Sequence, residues 1–359
     1  MDLKSIAFFL KFSTSVGRAY NLIVTGNVFL SKIIRMQPLT FYQKQFVAYL
    51  EGYQGPQEPN GLYDPVAYIL GLGGKRLRPV LTLIAAELFG TDYRSALDAA
   101  MAVEVFHNFS LVHDDIMDDA PLRRGKQTVH EKWDINTGIL SGDVMLINSY
   151  RFLEGYGGDV LKELFLLFNK TAKEVCEGQQ YDVDFETRMD VTIPEYLKMI
   201  EYKTSVLIAA ALKMGAIIAR ASTKNQDLIY EFGKNLGIAF QLQDDYLDAF
   251  GNPETFGKQV GGDIIENKKT FLYLKAMELA NEKDRETLLQ EFGVQLRDNT
   301  GKVALVKKLF TTSGAVGATK NAIAHYTQLA FGSLSRIEGD EEGKRVLRLM
   351  GENLMERSN

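Results

Sequence analysis

Apolar positions recur along this chain at helical spacing, and the two-residue alternation of strands is scarce. The window from Val80 to Phe89 is apolar almost throughout and predicts a buried helix closed by Gly90. Ala99 to Phe109 predicts another, running straight into an acidic stretch. Further helices are expected over Thr137 to Leu153, Leu161 to Cys176, Tyr196 to Ala219 and Leu228 to Phe250. Leu272 to Leu279, Val303 to Phe310 and Ala315 to Leu334 complete the series. Proline supports this reading by its rarity: after Pro79 only Pro121, Pro194 and Pro253 occur. No fixed-period repeat, low-complexity tract or linker divides the pattern. The expected fold is all-α: a single large helical bundle with a central cavity, over residues 36–359.

The first 35 residues differ. Their charges are almost all positive (Lys4, Lys11, Arg18, Lys32, Arg35 against Asp2), set among Phe8, Phe9, Ile23, Phe29 and Leu30. No apolar run there approaches the roughly 18 residues of a membrane span, and no signal-peptide cleavage pattern is evident. A basic surface helix and a targeting segment are two readings. A third, preferred here, is an extension upstream of a protein starting at Met36.

Chemistry enters with the acidic stretch Asp114-Asp115-Ile116-Met117-Asp118-Asp119. On a helix, Asp114 and Asp118 stack on one face, where like charges at that spacing destabilise by roughly 0.2–0.5 kcal/mol. Such a cluster suits a hard divalent cation such as Mg²⁺, which is usually held by one or two carboxylates together with substrate phosphates. An acidic run alone is ordinarily a solvated face. Here Asp244-Asp245-Tyr246-Leu247-Asp248 repeats Asp-Asp-x-x-Asp some 130 residues further on, again emerging from apolar sequence. Two acidic clusters on half-buried helices are costly unless cations lie between them.

At 359 residues and 46% apolar, the chain can build a large core, and its net charge of −5 argues against nucleic acid as a partner. Its single cysteine, Cys176, allows no intramolecular disulfide and reads as a packing residue. That suits a reducing, cytoplasmic setting. Cations gather locally instead: in Gly73-Gly74-Lys75-Arg76-Leu77-Arg78, in Arg123-Arg124-Gly125-Lys126, at Lys203-Thr204, and in the run from Gly257-Lys258 to Asn267-Lys268-Lys269. Glycine loops let backbone approach an anion, and paired arginines grip phosphate oxygens. Two carboxylate clusters plus four basic patches suit two diphosphates with greasy carbon chains.

In their order from Gly71 to Lys269, these motifs resemble those of the trans-isoprenyl diphosphate synthases, the polyprenyl synthetase family of farnesyl and geranylgeranyl diphosphate synthases. The resemblance implies that an allylic prenyl diphosphate is condensed with isopentenyl diphosphate. It implies Mg²⁺, three ions, held by Asp114, Asp118 and Asp244 with Asp115, Asp245 and Asp248 in support. Arg123, Lys203, Thr204, Gln241, Lys258 and Lys268 match allylic-substrate positions, and Lys203, Thr204 and Gln241 match those facing the reacting carbons. Lys75, Arg78, His107 and Arg124 match the isopentenyl diphosphate site, although a core histidine is the plain alternative for His107. Gln179 and Asp182 match a family pair near the metals. His113 is read as structural. Homodimerisation is likewise implied.

Product length follows from Phe109, five residues before Asp114 and therefore roughly 7.5 Å down the helix. In the family it resembles, the growing chain runs beside this helix, so Phe109 is expected to act as its floor while Ser110 leaves some room; an ordinary core phenylalanine is the plain alternative. Only two residues separate Asp115 from Asp118, unlike many bacterial farnesyl synthases, and this favours a twenty-carbon product over a fifteen-carbon one. A class I terpene cyclase and a non-catalytic subunit are the competing readings. The first has no use for the Lys75–Arg78 loop, and the second ordinarily lacks one motif.

Overall fold

The computed structural model describes residues 36–252, 260–293 and 300–356. The expected N-terminal extension and Lys258 lie outside them. Helices α1 (Leu39–Gly52), α2 (Asn60–Gly71) and α3 (Leu77–Leu88) lead through a 3₁₀ turn (Tyr93–Ala96) into the long α4 (Leu97–Met117). A hairpin of two-residue strands, β1 (Leu122–Arg123) and β2 (Lys126–Gln127), precedes the short α5 (Val129–Lys132) and then α6 (Ile135–Arg151). α7 (Gly158–Thr187) and α8 (Ile193–Ile200) follow, with a π turn (Glu201–Ser205) joining α8 to α9 (Val206–Ile218). α10 (Thr223–Phe250) is followed by α11 (Gly262–Ile265), α12 (Phe271–Leu279), α13 (Glu282–Phe292), α14 (Thr300–Thr312), α15 (Ala315–Ser335) and α16 (Glu341–Met355).

The helices start where side chains satisfy their free N–H groups. Thr192 and Glu195 form a reciprocal capping box at α8, with Pro194 in the first turn. Asp134, Ser222, Asn281 and Asp340 cap α6, α10, α13 and α16. All-round hydrophobicity then decides which helices go to the centre. Every residue of α3 from Pro79 to Leu88 is buried, as is α9 from Val206 to Leu212. α3 lies between α4 and α9; α9 packs on α10, and α10 on α15.

Glycine decides how near these helices come. At Gly215 of α9 a Cβ would lie 2.3 Å from the Thr82 carbonyl of α3. The expected uninterrupted helix from Tyr196 to Ala219 is instead broken by the π turn, in which Ser205 donates to the Ile200 carbonyl at 3.2 Å. Cys176, expected to pack inside, is exposed on α7. Its neighbour Val175 takes the inward position. Among the described residues no helix is long and apolar enough to cross a membrane.

Candidate active site

The first acidic motif lies at the C-terminal end of α4, where the Asp118 N–H still bonds to the Asp114 carbonyl at 2.9 Å. Asp115 is fully buried and accepts from Arg123 Nε at 2.9 Å, with a second contact from the same guanidinium. Arg123 also stands 3.7 Å from Asp114, whose other oxygen is 3.3 Å from Lys203 Nζ. Hairpin and π turn thus supply the cations that make an acidic helix end tolerable.

The second motif is on α10. Asp245 is buried, accepting from Gln241 Nε2 at 2.9 Å and from the Tyr196 hydroxyl of α8. Asp248 receives the Asp263 backbone N–H at 2.9 Å on its carboxylate and the Gly261 N–H on its carbonyl. Desolvation pushes the Asp245 and Asp263 carboxyls well up, and neighbouring aspartates add to it. Asp118 is pushed up to about 6, by desolvation first and by Asp114 next.

The π turn joins the two banks. Lys203 reaches back to Asp182 of α7 at 2.6 Å and to Asp114, while its neighbour Thr204 donates to Gln241 Oε1 at 3.3 Å. Beyond it, the Lys268 charge bears on Asp118 and is itself raised: desolvation opposes it, but Glu266 (2.9 Å), Asp263 and Asp182 prevail. Asp114, Asp118, Asp182, Asp245, Asp248 and Asp263 therefore share one electrostatic neighbourhood. Gln179, whose amide lies 3.8 Å from Met117 Sδ, faces it from α7. Asp244, half-buried on α10, lies within the same motif.

The donor set fits a hard divalent cation. It is all carboxylate oxygen, one buried oxygen of Asp115 has no hydrogen-bond partner among the described residues, and Asp118, Asp245 and Asp263 stay raised by burial and by neighbouring aspartates even where Lys203 and Lys268 bear on them.

A second pole is purely cationic. Arg78 Nη1 lies 3.1 Å from His107 Nε2. A guanidinium only donates, so Nε2 accepts and the ring is neutral with its proton on Nδ1. Desolvation and then Arg78, Arg124, Arg123 and Arg76 drive the His107 pKa well below its usual value. Arg76 is a strut rather than a free cation: it is buried against Glu104, which Asn108 also holds at 2.9 Å. Arg124 folds back onto the Gly73 carbonyl, and a Cβ on Gly74 would lie 2.9 Å from its guanidinium carbon. Lys75, on the same loop, is exposed. Desolvation lowers the pKa values of Arg78 and Arg124, as in a site prepared for an anion.

Between these poles opens a cavity of about 270 Å³. Arg78, His107, Asp114, Gln179, Lys203 and Thr204 rim it, and Phe109, Ser110, Val175, Val183 and Leu207 line it. Phe109 packs on Phe106 (ring centroids 5.3 Å apart) and on His113 (5.0 Å). His113 in turn reaches the Ile139 carbonyl at 3.1 Å, a structural contact.

Of the sequence-predicted residues, Arg78, His107, Phe109, Ser110, Asp114, Gln179, Lys203 and Thr204 line this cavity, and hydrogen bonds or ion pairs tie Asp115, Asp182, Arg123, Gln241 and Asp245 to that set. The structure adds Tyr196, Asp263 and the Arg76–Glu104–Asn108 strut. Asp263 was visible as an acid within a basic run; Tyr196, 49 residues from Asp245, gave no local signal.

The polyprenyl synthetase family matches this sequence over residues 59–311. A short chain isoprenyl diphosphate synthase of Methanothermobacter thermautotrophicus is 37% identical over 303 residues, covering 83% of this chain and 91% of its own. A geranylgeranyl diphosphate synthase of Methanosarcina mazei is 42% identical over 259 residues, 70% of this chain and 80% of its own. A crystal structure of a geranylgeranyl pyrophosphate synthase superposes with a TM-score of 0.86 at 54% identity, covering 90% of this chain and all of that one.

Proposed function

Because the chain belongs to the polyprenyl synthetase family, we propose that it joins an allylic diphosphate to isopentenyl diphosphate, giving a short-chain all-trans prenyl diphosphate. It is a trans-prenyltransferase. The observation that carries the reading is the Lys203–Thr204 step, which touches Asp114 on one side and Gln241, hydrogen-bonded to Asp245, on the other.

Asp114, Asp115, Asp118, Asp244, Asp245 and Asp248 would hold Mg²⁺, which when bound neutralises the diphosphate and the charge it gains on leaving. Three ions are the expected number. Arg123, Lys203 and Lys268 are placed to face the same diphosphate, supplying a preorganised positive field as the allylic C–O bond breaks; Lys258, outside the described residues, is expected to join them by the family resemblance. Thr204 Oγ, the Gln241 amide oxygen and the Lys203 carbonyl face the carbocation and stabilise it by their dipoles. Lys75, Arg78 and Arg124, with neutral His107 beside them, hold isopentenyl diphosphate so that its double bond meets the cation in line. Among the described residues no side chain there serves as an evident general base, and the released proton is expected to go to the departing diphosphate.

The cavity floor at Phe109 and Ser110 favours a twenty-carbon product, and the relatives named geranylgeranyl diphosphate synthase support this. We expect a homodimer, since Leu140 and Ile147 of α6 and Leu166 of α7 are each about 60% exposed. A cytoplasmic location is consistent with the lone cysteine.

The test is product analysis with Mg²⁺ and each allylic diphosphate, with and without isopentenyl diphosphate. A chain-elongated diphosphate only when both are present is expected. Hydrocarbon from geranyl diphosphate alone would mean a cyclase, and an inert purified chain would mean a subunit that needs a partner.

A further inference from the structure

The hairpin carrying Arg123 and Arg124 is held by little backbone pairing. Its strands are two residues each, and Thr128 N–H to the Pro121 carbonyl (3.2 Å) closes its base. At that base, outside the aspartate motifs' shared cavity, stand Asp119 on one side and His130 and Glu131 on the other. The nearest ligand atoms of these three side chains lie within 4.8 Å of one another. His130 is the decisive member. Its side chain is only 5% exposed, both ring nitrogens are shut off from solvent, and neither has a hydrogen-bond partner among the described residues. A buried imidazole ordinarily satisfies at least its N–H. Nε2 points towards Glu131, 3.9 Å from Oε1, too far for a hydrogen bond but near enough for a shared ligand.

We propose that Asp119, His130 and Glu131 form a divalent transition-metal site of the zinc class that clips together the two ends of the arginine hairpin. One imidazole nitrogen with two carboxylate oxygens is a borderline donor set, which zinc-like ions accept and Mg²⁺, preferring oxygen throughout, does not. The two carboxylates are exposed and free to swing in by about 1 Å to reach bonding distances near 2.0–2.2 Å. A fourth position would be left to water.

Metal-stripped full-length protein, with Mg²⁺ and inorganic diphosphate in excess to engage the aspartate motifs, is titrated with Co²⁺ as a spectroscopic probe. One ion per chain is expected, with a tetrahedral visible absorption that Zn²⁺ bleaches and with a rise in Tm. His130→Gln and Glu131→Gln should each weaken it at least about tenfold, and Asp244→Asn should leave it intact. Glu131 is exposed, so its variant carries the test if His130→Gln does not fold. No Co²⁺ band under these conditions would overturn the proposal. So would a band abolished by Asp244→Asn but retained in Glu131→Gln.

Discussion

A Cβ placed on Gly178 would lie 2.2 Å from the backbone nitrogen of Lys203, so α7 presses its bare backbone against the π turn. On the other side Gly237 of α10 does the same, its Cβ position 2.8 Å from Ser205 Cα. The π turn is thereby clamped between the helix bearing Asp182 and the helix bearing Gln241 and Asp244. Because the obstacle at Gly178 is backbone, Gly178→Ala must shift the turn itself. A shift near 1 Å at a catalytic group costs on the order of 100-fold in rate, and overpacking costs about 1–3 kcal/mol of stability. We expect Gly178→Ala to keep its helical circular dichroism but lose roughly 100-fold in kcat. Near-native turnover would mean that Lys203 does not need its present position.

The cationic pole should act on one substrate more than the other. The Arg124 charge bears on His107, and its guanidinium is held against the Gly73 carbonyl, partly desolvated and repelled by Arg76. A hydrogen bond between charged partners is worth about 1.5–3 kcal/mol. Arg124→Ala should therefore raise KM for isopentenyl diphosphate roughly 10- to 100-fold, with the allylic KM changing far less. Initial-rate kinetics varying each substrate in turn decide it. Equal effects on both would place Arg124 between the substrates instead.

Product length tests the cavity. Phe109 is 7% exposed and lines the cavity beside Ser110, with the fully buried Phe106 tilted against it and Phe168 edge-on behind Phe106. Phe109→Ala should lengthen the main product by one isoprene unit and little more, because Phe106 becomes the next wall. Reverse-phase chromatography of the dephosphorylated products would show this. An unchanged product would make Phe109 an ordinary core residue.

Much of this was legible in the sequence because it depends on local pattern. α3, α4, α9 and α10 are apolar over long runs, and the repeated Asp-Asp-x-x-Asp gave the site its two acidic banks. Less legible were helices whose signals conflict. α2 contains Pro65, which ordinarily argues against a helix interior, α13 carries more charged than apolar residues, and α16 as many of one as of the other. Lys203-Thr204 stood out as a polar interruption, yet nothing nearby in the chain announces a π turn, since the glycines that shape it are on α7 and α10. Arg76 reads like its neighbours Lys75 and Arg78 until Glu104 is brought against it. Pairings across many residues are decided by packing, not by neighbours in sequence.

The raised carboxyl at Asp118 has a consequence for stability. Its folded pKa of about 6 exceeds the ordinary value near 3.9 of an unfolded chain, so between these values the folded protein binds more protons. Ionised Asp118 thus lowers the stability of the metal-free protein, a penalty absent at acid pH and present in full above about 6. His107 pulls the other way, because burial and its arginines keep it neutral while the unfolded ring gains a proton near 6.5. The comparison that cancels His107 is between wild type and Asp118→Asn. Without metal, Asp118→Asn should melt higher than wild type at pH 8, and the gap should narrow by roughly half on acidification to pH 5, closing only towards the unfolded-chain value near 3.9. With Mg²⁺ and diphosphate the order at pH 8 should reverse, because the wild-type carboxylate then has its counterion. Calorimetry across pH 5 to 8 with and without Mg²⁺ and diphosphate reads both effects. A metal-free Asp118→Asn melting below wild type at pH 8 would mean that Asp118 is already neutralised by Lys203 and Lys268.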